Sequence, residues 1–234
     1  MKIDELKNDQ NDESQWLPIS DLMSVLMMVF MLIAISYMVK VSEEKEKIEE
    51  VAITYQKLQN DLYEDLNEEF KADLEKWDAV IDKNSLSVRF KSPDILFSVG
   101  SSNLKKKFKT ILSDFFPRFI KILHNDKYRN DVEEIRIEGH TSKYWREQTP
   151  EDKAYIYNMK LSQDRTRNVL EYVLSKEKNL QLIEWIRENV TANGLSSSKL
   201  ILDENGEQNR KLSRRVEFRI KTNAERRIAK ILME

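Results

Sequence analysis

The run WLPISDLMSVLMMVFMLIAISYMV, residues 16–39, decides how the rest of the chain is read. Its last 18 residues, 22–39, carry no charge. As a helix rising about 1.5 Å per residue they reach about 27 Å, close to the hydrocarbon thickness of a bilayer. One acid, Asp21, sits inside the longer stretch near its N-terminal end. An aspartate at the centre of a membrane helix costs roughly 2.5–3.5 kcal/mol, and each apolar residue that follows offsets roughly 0.3–0.6 kcal/mol, so the stretch inserts with its acid in place. Its apolar core is too long for a cleaved leader, the segment before it is acidic, and no small-residue cleavage site follows. An uncleaved single-pass anchor fits. Trp16 is placed as an interfacial aromatic, and Pro18 where a first helical turn tolerates it. Asp21 reads as an ion carrier.

Around this anchor lies a chain of 234 residues, 34% of them charged, with a formal net charge of −2. That balance argues against nucleic acid as the main partner. The charge is nevertheless uneven: residues 41–80 hold 13 acids and 5 lysines, and residues 209–234 hold nine Lys or Arg against three Glu. The basic end reads either as a site for an anionic partner or as a solvated surface with arginines that serve the fold. With no cysteine, disulfides and thiolate metal sites are excluded. Lys2 and Lys7 precede the span while Lys40, Lys45 and Lys47 follow it closely, so flanking charge does not favour a cytoplasmic N-terminus.

Residues 1–15 are polar and aperiodic and read as a short disordered tail, followed by the transmembrane helix over 16–40. Residues 41–83 then read as a helical stalk, free of Gly and Pro. Ile48, Val51, Tyr55, Leu58 and Leu62 step by 3, 4, 3, 4, the seam of a coiled coil, before the pattern loosens through Leu66, Phe70, Leu74 and Trp77. The seam points to a homodimer; the alternative is an amphipathic helix folded against its own domain.

From residue 84 the texture changes, and all four glycines lie beyond it. LSVRF (86–90), EIRIEGH (134–140), KLILD (199–203) and RRVEFRI (214–220) read as strands, and 94–99 as a short strand or turn. Residues 103–125 read as a helix interrupted or kinked near Pro117, and 154–175 and 180–192 as two more, the last closed by Gly194 as a C-cap. Between the second strand and the helix from 154 lies a polar loop, 144–152. The order β-α-β-α-α-β-β predicts an α+β domain over 84–222, helices on one mixed sheet, with a basic helical tail over 223–234.

Two segments carry a resemblance. W-x-x-x-x-D-L-M-S-x-L-M-M-x-F, from Trp16 to Phe30, resembles the single membrane helix of the B subunits of ion-driven stators, whose aspartate binds the translocating cation. ILFSVGSSNL (95–104), IRIEGHT (135–141), NMKLSQDRTRNVLEYV (158–173) and RKLSRRVEFRI (210–220) together resemble an OmpA-like peptidoglycan-binding module and cover most of 85–222. The short N-terminus and long stalk are similar to the stator B subunit of Zorya anti-phage defence as much as to that of the flagellar motor. The resemblance implies a cytoplasmic N-terminus, a module in the periplasm, and a homodimer inside a ring of multi-span A subunits in the bacterial inner membrane.

At Asp21 a partly desolvated carboxylate facing a partner helix would take up and release a proton. With hydroxyl oxygens it would instead replace the hydration shell of Na+; Ser24, at i+3 on the same helical face, is the natural second ligand, and Ser20 lies about 100° round the helix. The competing reading makes Asp21 an interfacial residue or helix N-cap. Met23, Met27, Met28 and Met31 read as packing surface.

In the OmpA-like module the resemblance implies an Asp–Arg clamp on the diaminopimelate of peptidoglycan, the acid taking the amine and the guanidinium the carboxylate. Arg165 matches the arginine, and Thr141, Asn158 and Leu161 match too. Ser142 stands where the aspartate belongs, which removes the anion that would hold an amine. The loop after it, with Glu147, Glu151 and Asp152, is a possible source of a replacement acid. Ser213 replaces the usual Asn before RRVEF. Arg214 and Arg215 match paired arginines, at least one of them expected to hold the fold through an ion pair. His140 is expected to make structural hydrogen bonds, and with so few histidines a zinc site is not expected. No phosphate loop or nucleophile motif stands out, so a conventional enzyme and a cofactor are not expected; the cargo would be H+ or Na+. The resulting expectation is the B subunit of a cation-driven motor, in defence or in flagellar rotation, against a static wall tether or secretion scaffold and an outer-membrane energy transducer.

Overall fold

The computed structural model describes residues 4–91, 93–98 and 100–223, with side-chain environments from residue 19 onward, those of residues 93 and 94 excepted. The chain separates into two compact units, one ending at Ile53 and the other beginning at Thr54.

Helix α1 (Asp4–Phe70) begins 12 residues before Trp16, where an unstructured tail is expected. Once the apolar run has nucleated a helix, each added residue without Gly or Pro contributes a bond at little further cost, so 4–15 extend it. Pro18 is therefore interior to the helix, not in its first turn. In the first unit every described side chain from Ile19 to Glu43 is exposed, Leu22 at 70% and Met27 at 76%. A helix apolar on all sides requires cover from lipid or from partner chains. Among the described residues it is the one helix long and apolar enough to cross a membrane.

The second unit is built on a five-stranded mixed sheet in the order β1-β2-β5-β3-β4. Its strands are β1 (Ala79–Asp82), β2 (Ser87–Phe90), β3 (Val132–His140), β4 (Val190–Gly194) and β5 (Arg215–Thr222). The β3–β4 pair is parallel and the other pairs are antiparallel. Alternation along the three central strands puts Val88, Phe90, Ile135, Ile137, Val216, Phe218 and Ile220 in the core. Helix α4 (Lys106–Leu123) lies in that core and runs through Pro117 without interruption. Its Phe115 ring sits 5.0 Å from Phe218 and 5.3 Å from Phe90. Helices α5 (Glu151–Lys176) and α6 (Leu180–Asn189) add Val169, Val173 and Ile186.

Several of these expectations are corrected here. The domain starts before residue 84, because β1 pairs with β2 from Ala79 to Phe90. The end of α1 belongs to it as well: Leu62, Leu66 and Phe70 are buried, and Phe70 lies 5.2 Å from Phe115. The alternative of a helix folded against its own domain thus holds for Leu62 onward. After it come the short helix α2 (Leu74–Trp77) and Arg118, whose guanidinium donates to Glu69 (2.7 Å) and Asp73 (3.0 Å) and lies 4.9 Å from the Phe70 ring. Residues 190–194, read as a helix end, form β4; only Val190 of that strand is buried, so no alternation marks it. KLILD does not enter the sheet, since Leu202 is 56% exposed and makes a single bridge with Gln208. Residues 93–96 are a short helix, α3 (Pro93–Leu96). The basic tail beyond Asn223 lies outside the described residues.

Candidate functional site

The module's cleft is set up by a close approach between helix and strand. A Cβ on Gly139 would lie 2.8 Å from Thr166 and 2.9 Å from the Ser162 carbonyl, so only glycine lets α5 lie this near β3. Across the same seam Ser196 donates its N–H to Ser162 Oγ (3.1 Å) and its hydroxyl to the Tyr155 carbonyl (2.8 Å). The Thr141 N–H donates to the Ser196 carbonyl at 2.8 Å. The strand thus delivers Thr141 and Ser142 to the N-terminal half of α5. On that helix Asn158, Leu161 and Arg165, spaced i, i+3, i+7, share one face.

All five residues predicted for the module, Thr141, Ser142, Asn158, Leu161 and Arg165, line a single cleft of about 310 Å³. Their roles differ. Asn158 is buried, and its amide donates to the carbonyls of Ser142 (3.0 Å) and Tyr144 (3.3 Å), so it holds the loop that forms one wall. Arg165 is 9% exposed; its Nε donates to the Ser101 carbonyl (3.0 Å) and its guanidinium lies 4.7 Å from the centre of the Phe97 ring. Thr141 Oγ1 is buried and has no hydrogen-bond partner among the described residues. The Ser142 hydroxyl points to the Tyr144 carbonyl at 3.4 Å.

Sequence reasoning missed Tyr144, Trp145, Arg146 and Arg210, which complete the walls with Phe97 and Arg214. Arg210 lies 5.5 Å from the Tyr144 ring centre. The sequence carries them openly: the loop contributes two aromatics and an arginine to the cleft. None of Glu147, Glu151 or Asp152 lines the cleft; Glu151 lines a smaller neighbouring one of about 200 Å³.

The paired arginines separate as expected. Arg214 faces the cleft, while Arg215, 7% exposed, pairs with Glu217 through Nε at 2.5 Å and donates to the Lys199 and Ser213 carbonyls. Ser213 bonds both polar backbone groups of Ile201, tying the 199–209 loop to the sheet. Glu217 also accepts from Arg89 Nε at 2.8 Å. Burial raises the pKa of Glu217, and the Arg215 and Arg89 charges overcome this and hold it below the ordinary carboxylate range. His140 departs from its expected role: neither ring nitrogen has a hydrogen-bond partner among the described residues, and Nε2 stands 3.6 Å from Glu138. Glu138, His140 and Glu217 bring ligand-type atoms within 4.8 Å of one another, but Arg215 and Arg89 already occupy the same oxygen of Glu217. The cluster is therefore an ion-pair network.

Asp21 and Ser24 lie in the first unit, exposed on the apolar part of α1. The Ser24 hydroxyl donates to the Ser20 carbonyl at 2.8 Å. Having spent its proton there, its oxygen keeps its lone pairs as acceptors.

The OmpA family model matches residues 96–217. The Zorya protein ZorB of Escherichia coli is 51% identical over 228 residues, covering 97% of this chain and 96% of that protein. Among solved structures, a putative MotB like protein from Desulfovibrio vulgaris aligns with a TM-score of 0.50 at 24% identity, over 76% of this chain and 94% of its own. The periplasmic domain of Helicobacter pylori MotB aligns with a TM-score of 0.42 at 18% identity, over 62% of this chain and 83% of its own.

Proposed function

The chain belongs to the OmpA family and to the family of the Zorya protein ZorB, and from that premise we propose that it is the B subunit of a cation-driven motor in anti-phage defence. The observation that carries this is the extent of the likeness: half the residues are shared over 97% of the chain and 96% of the relative, a span that takes in both the apolar helix and the module. In this reading α1 crosses the bacterial inner membrane with its N-terminus in the cytoplasm, the module stands in the periplasm, and the cleft grips peptidoglycan. Two copies sit inside a ring of multi-span A-type subunits, which supplies the cover that the exposed apolar side chains of 19–39 require.

Asp21 carries the cation. Its protonation, or its binding of Na+ with Ser24, changes the local charge by one unit and biases the ring between two arrangements. Torque needs a fixed point, and the cleft around Arg165 provides it.

The test is the plating efficiency of a phage panel on cells carrying the gene with its neighbouring genes, wild type against Asp21→Asn, at matched membrane levels. Protection by the wild type alone is the expected result. Equal protection by both would remove the ion carrier and leave a static tether.

A further inference from the structure

Two clefts of the module meet along one ridge. Tyr144, Trp145 and Arg146 line both the cleft around Arg165 and the smaller one of about 200 Å³ beside it. The ridge is fixed in place, because the Asn158 amide donates to the Ser142 and Tyr144 carbonyls. Its rings reach solvent: Tyr144 is 55% exposed, and Trp145, half-buried, lies 5.6 Å from the ring of Tyr157, which is 47% exposed. Tyr144 already carries two cations, Lys143 at 5.4 Å and Arg210 at 5.5 Å from its ring centre, whereas Trp145 and Tyr157 pair with each other. In the smaller cleft the ridge stands beside the polar side chains of Lys143, Thr149 and Glu151. An aromatic surface bordered by donors and acceptors suits a ligand that is apolar on one face, polar round its edge and uncharged. A pyranose ring has that chemistry: its C–H groups stack on an aromatic face, and its hydroxyl and acetamido groups bond to the border. A charged peptide gains little from the rings, and a purely apolar segment would leave the border unpaired.

We propose that the ridge is a sugar-binding platform. A pyranose of the glycan strand stacks on Trp145, backed by Tyr157, and reaches the smaller cleft, while the stem peptide it carries enters the cleft around Arg165. The inference rests on the peptidoglycan reading above and deepens it: the recognised unit is a sugar joined to its peptide, not the peptide alone. Two contacts on covalently joined parts of one polymer raise affinity through effective concentration, and the hold survives when either contact opens under load.

The experiment is displacement of the detergent-solubilised full chain from purified sacculi by two soluble fragments: a disaccharide carrying its stem peptide, and the same stem peptide cut free of sugar. The sugar-bearing fragment is expected to displace the wild type at a concentration about tenfold lower. Trp145→Ala is expected to bring that ratio close to one, and Trp145→Phe, which keeps a ring, to retain most of it. A ratio of two ligands on one protein does not depend on how much of a variant folds. The inference is overturned if both fragments displace the wild type at the same concentration, if neither displaces it, or if the ratio survives in Trp145→Ala. Failure of the wild type to sediment with sacculi at all would instead sink the peptidoglycan reading itself, and the inference with it.

Discussion

Glu217 shows how much a single side chain holds in this module. It faces Arg215 and Arg89 with almost no exposure, so its loss leaves the buried Arg215 guanidinium without its carboxylate partner and the half-buried Arg89 with Asp82 alone. Breaking a buried pair from one side costs about 3–5 kcal/mol, and Glu217→Gln is expected to lose that much in urea unfolding at pH 7. The sign of the pH effect follows from its depressed pKa. A carboxylate held lower in the folded state stabilises above the unfolded value, near 4.5, and that contribution disappears as pH falls through the folded value. The gap between wild type and Glu217→Gln should therefore narrow as pH drops below about 4.5. A gap that stays constant would mean the glutamate acts by shape alone. Gly194 makes the complementary point about space. A Cβ there would stand 2.3 Å from the backbone nitrogen of Gln163, so Gly194→Ala should destabilise by roughly 1–3 kcal/mol, read in the same unfolding experiment.

Among elements, the end of α1 decides where the module begins. Leu62, Leu66 and Phe70 are as buried as any residue of the sheet, and β1 supplies its edge. A fragment starting at Asn84 lacks all of these, whereas one starting at Thr54 keeps them; the first is expected to aggregate and the second to unfold cooperatively. In the longer fragment Leu66→Ala should cost about 2–5 kcal/mol by leaving a cavity. Cooperative unfolding of the shorter fragment would show α1 to be dispensable. This boundary was hard to read because Leu58 and Leu62 serve a heptad and an intramolecular face with the same spacing, and spacing cannot say which partner wins. The strands around Ile135, Ile137, Val216 and Phe218 were legible because both faces are occupied, apolar on one side and charged on the other. β1 and β4 were not: they are edge strands of four and five residues with little to alternate. At the site the matching residues were found in advance, while Trp145 and Arg146 reach the cleft only through the path of a loop that no periodicity encodes, and Arg210 from the start of a four-residue helix.

For the molecule as a whole, the proposal needs two separable functions on one chain, ion carriage at Asp21 and grip at Arg165. Asp21→Asn should sediment with sacculi as the wild type does and yet give no protection against phage. Arg165→Ala should reach the membrane at normal levels, bind sacculi about tenfold less well or worse, and also fail to protect. A homodimer adds a sharper consequence, since a motor holding two copies of this helix exposes each to the state of the other. If both copies must carry ions, co-expressing equal amounts of wild type and Asp21→Asn leaves about one quarter of randomly assembled dimers fully wild type. Protection should then fall well below that of cells carrying half the dose of wild type alone. Protection equal to or above that of the half-dose strain would mean that the chain acts singly or that one working aspartate suffices. Cross-linking separates these two outcomes: the chain has no native cysteine, so Ile48→Cys, on the part of the heptad seam that lies before the module, gives a disulfide-linked dimer in oxidised membranes only if two helices meet there.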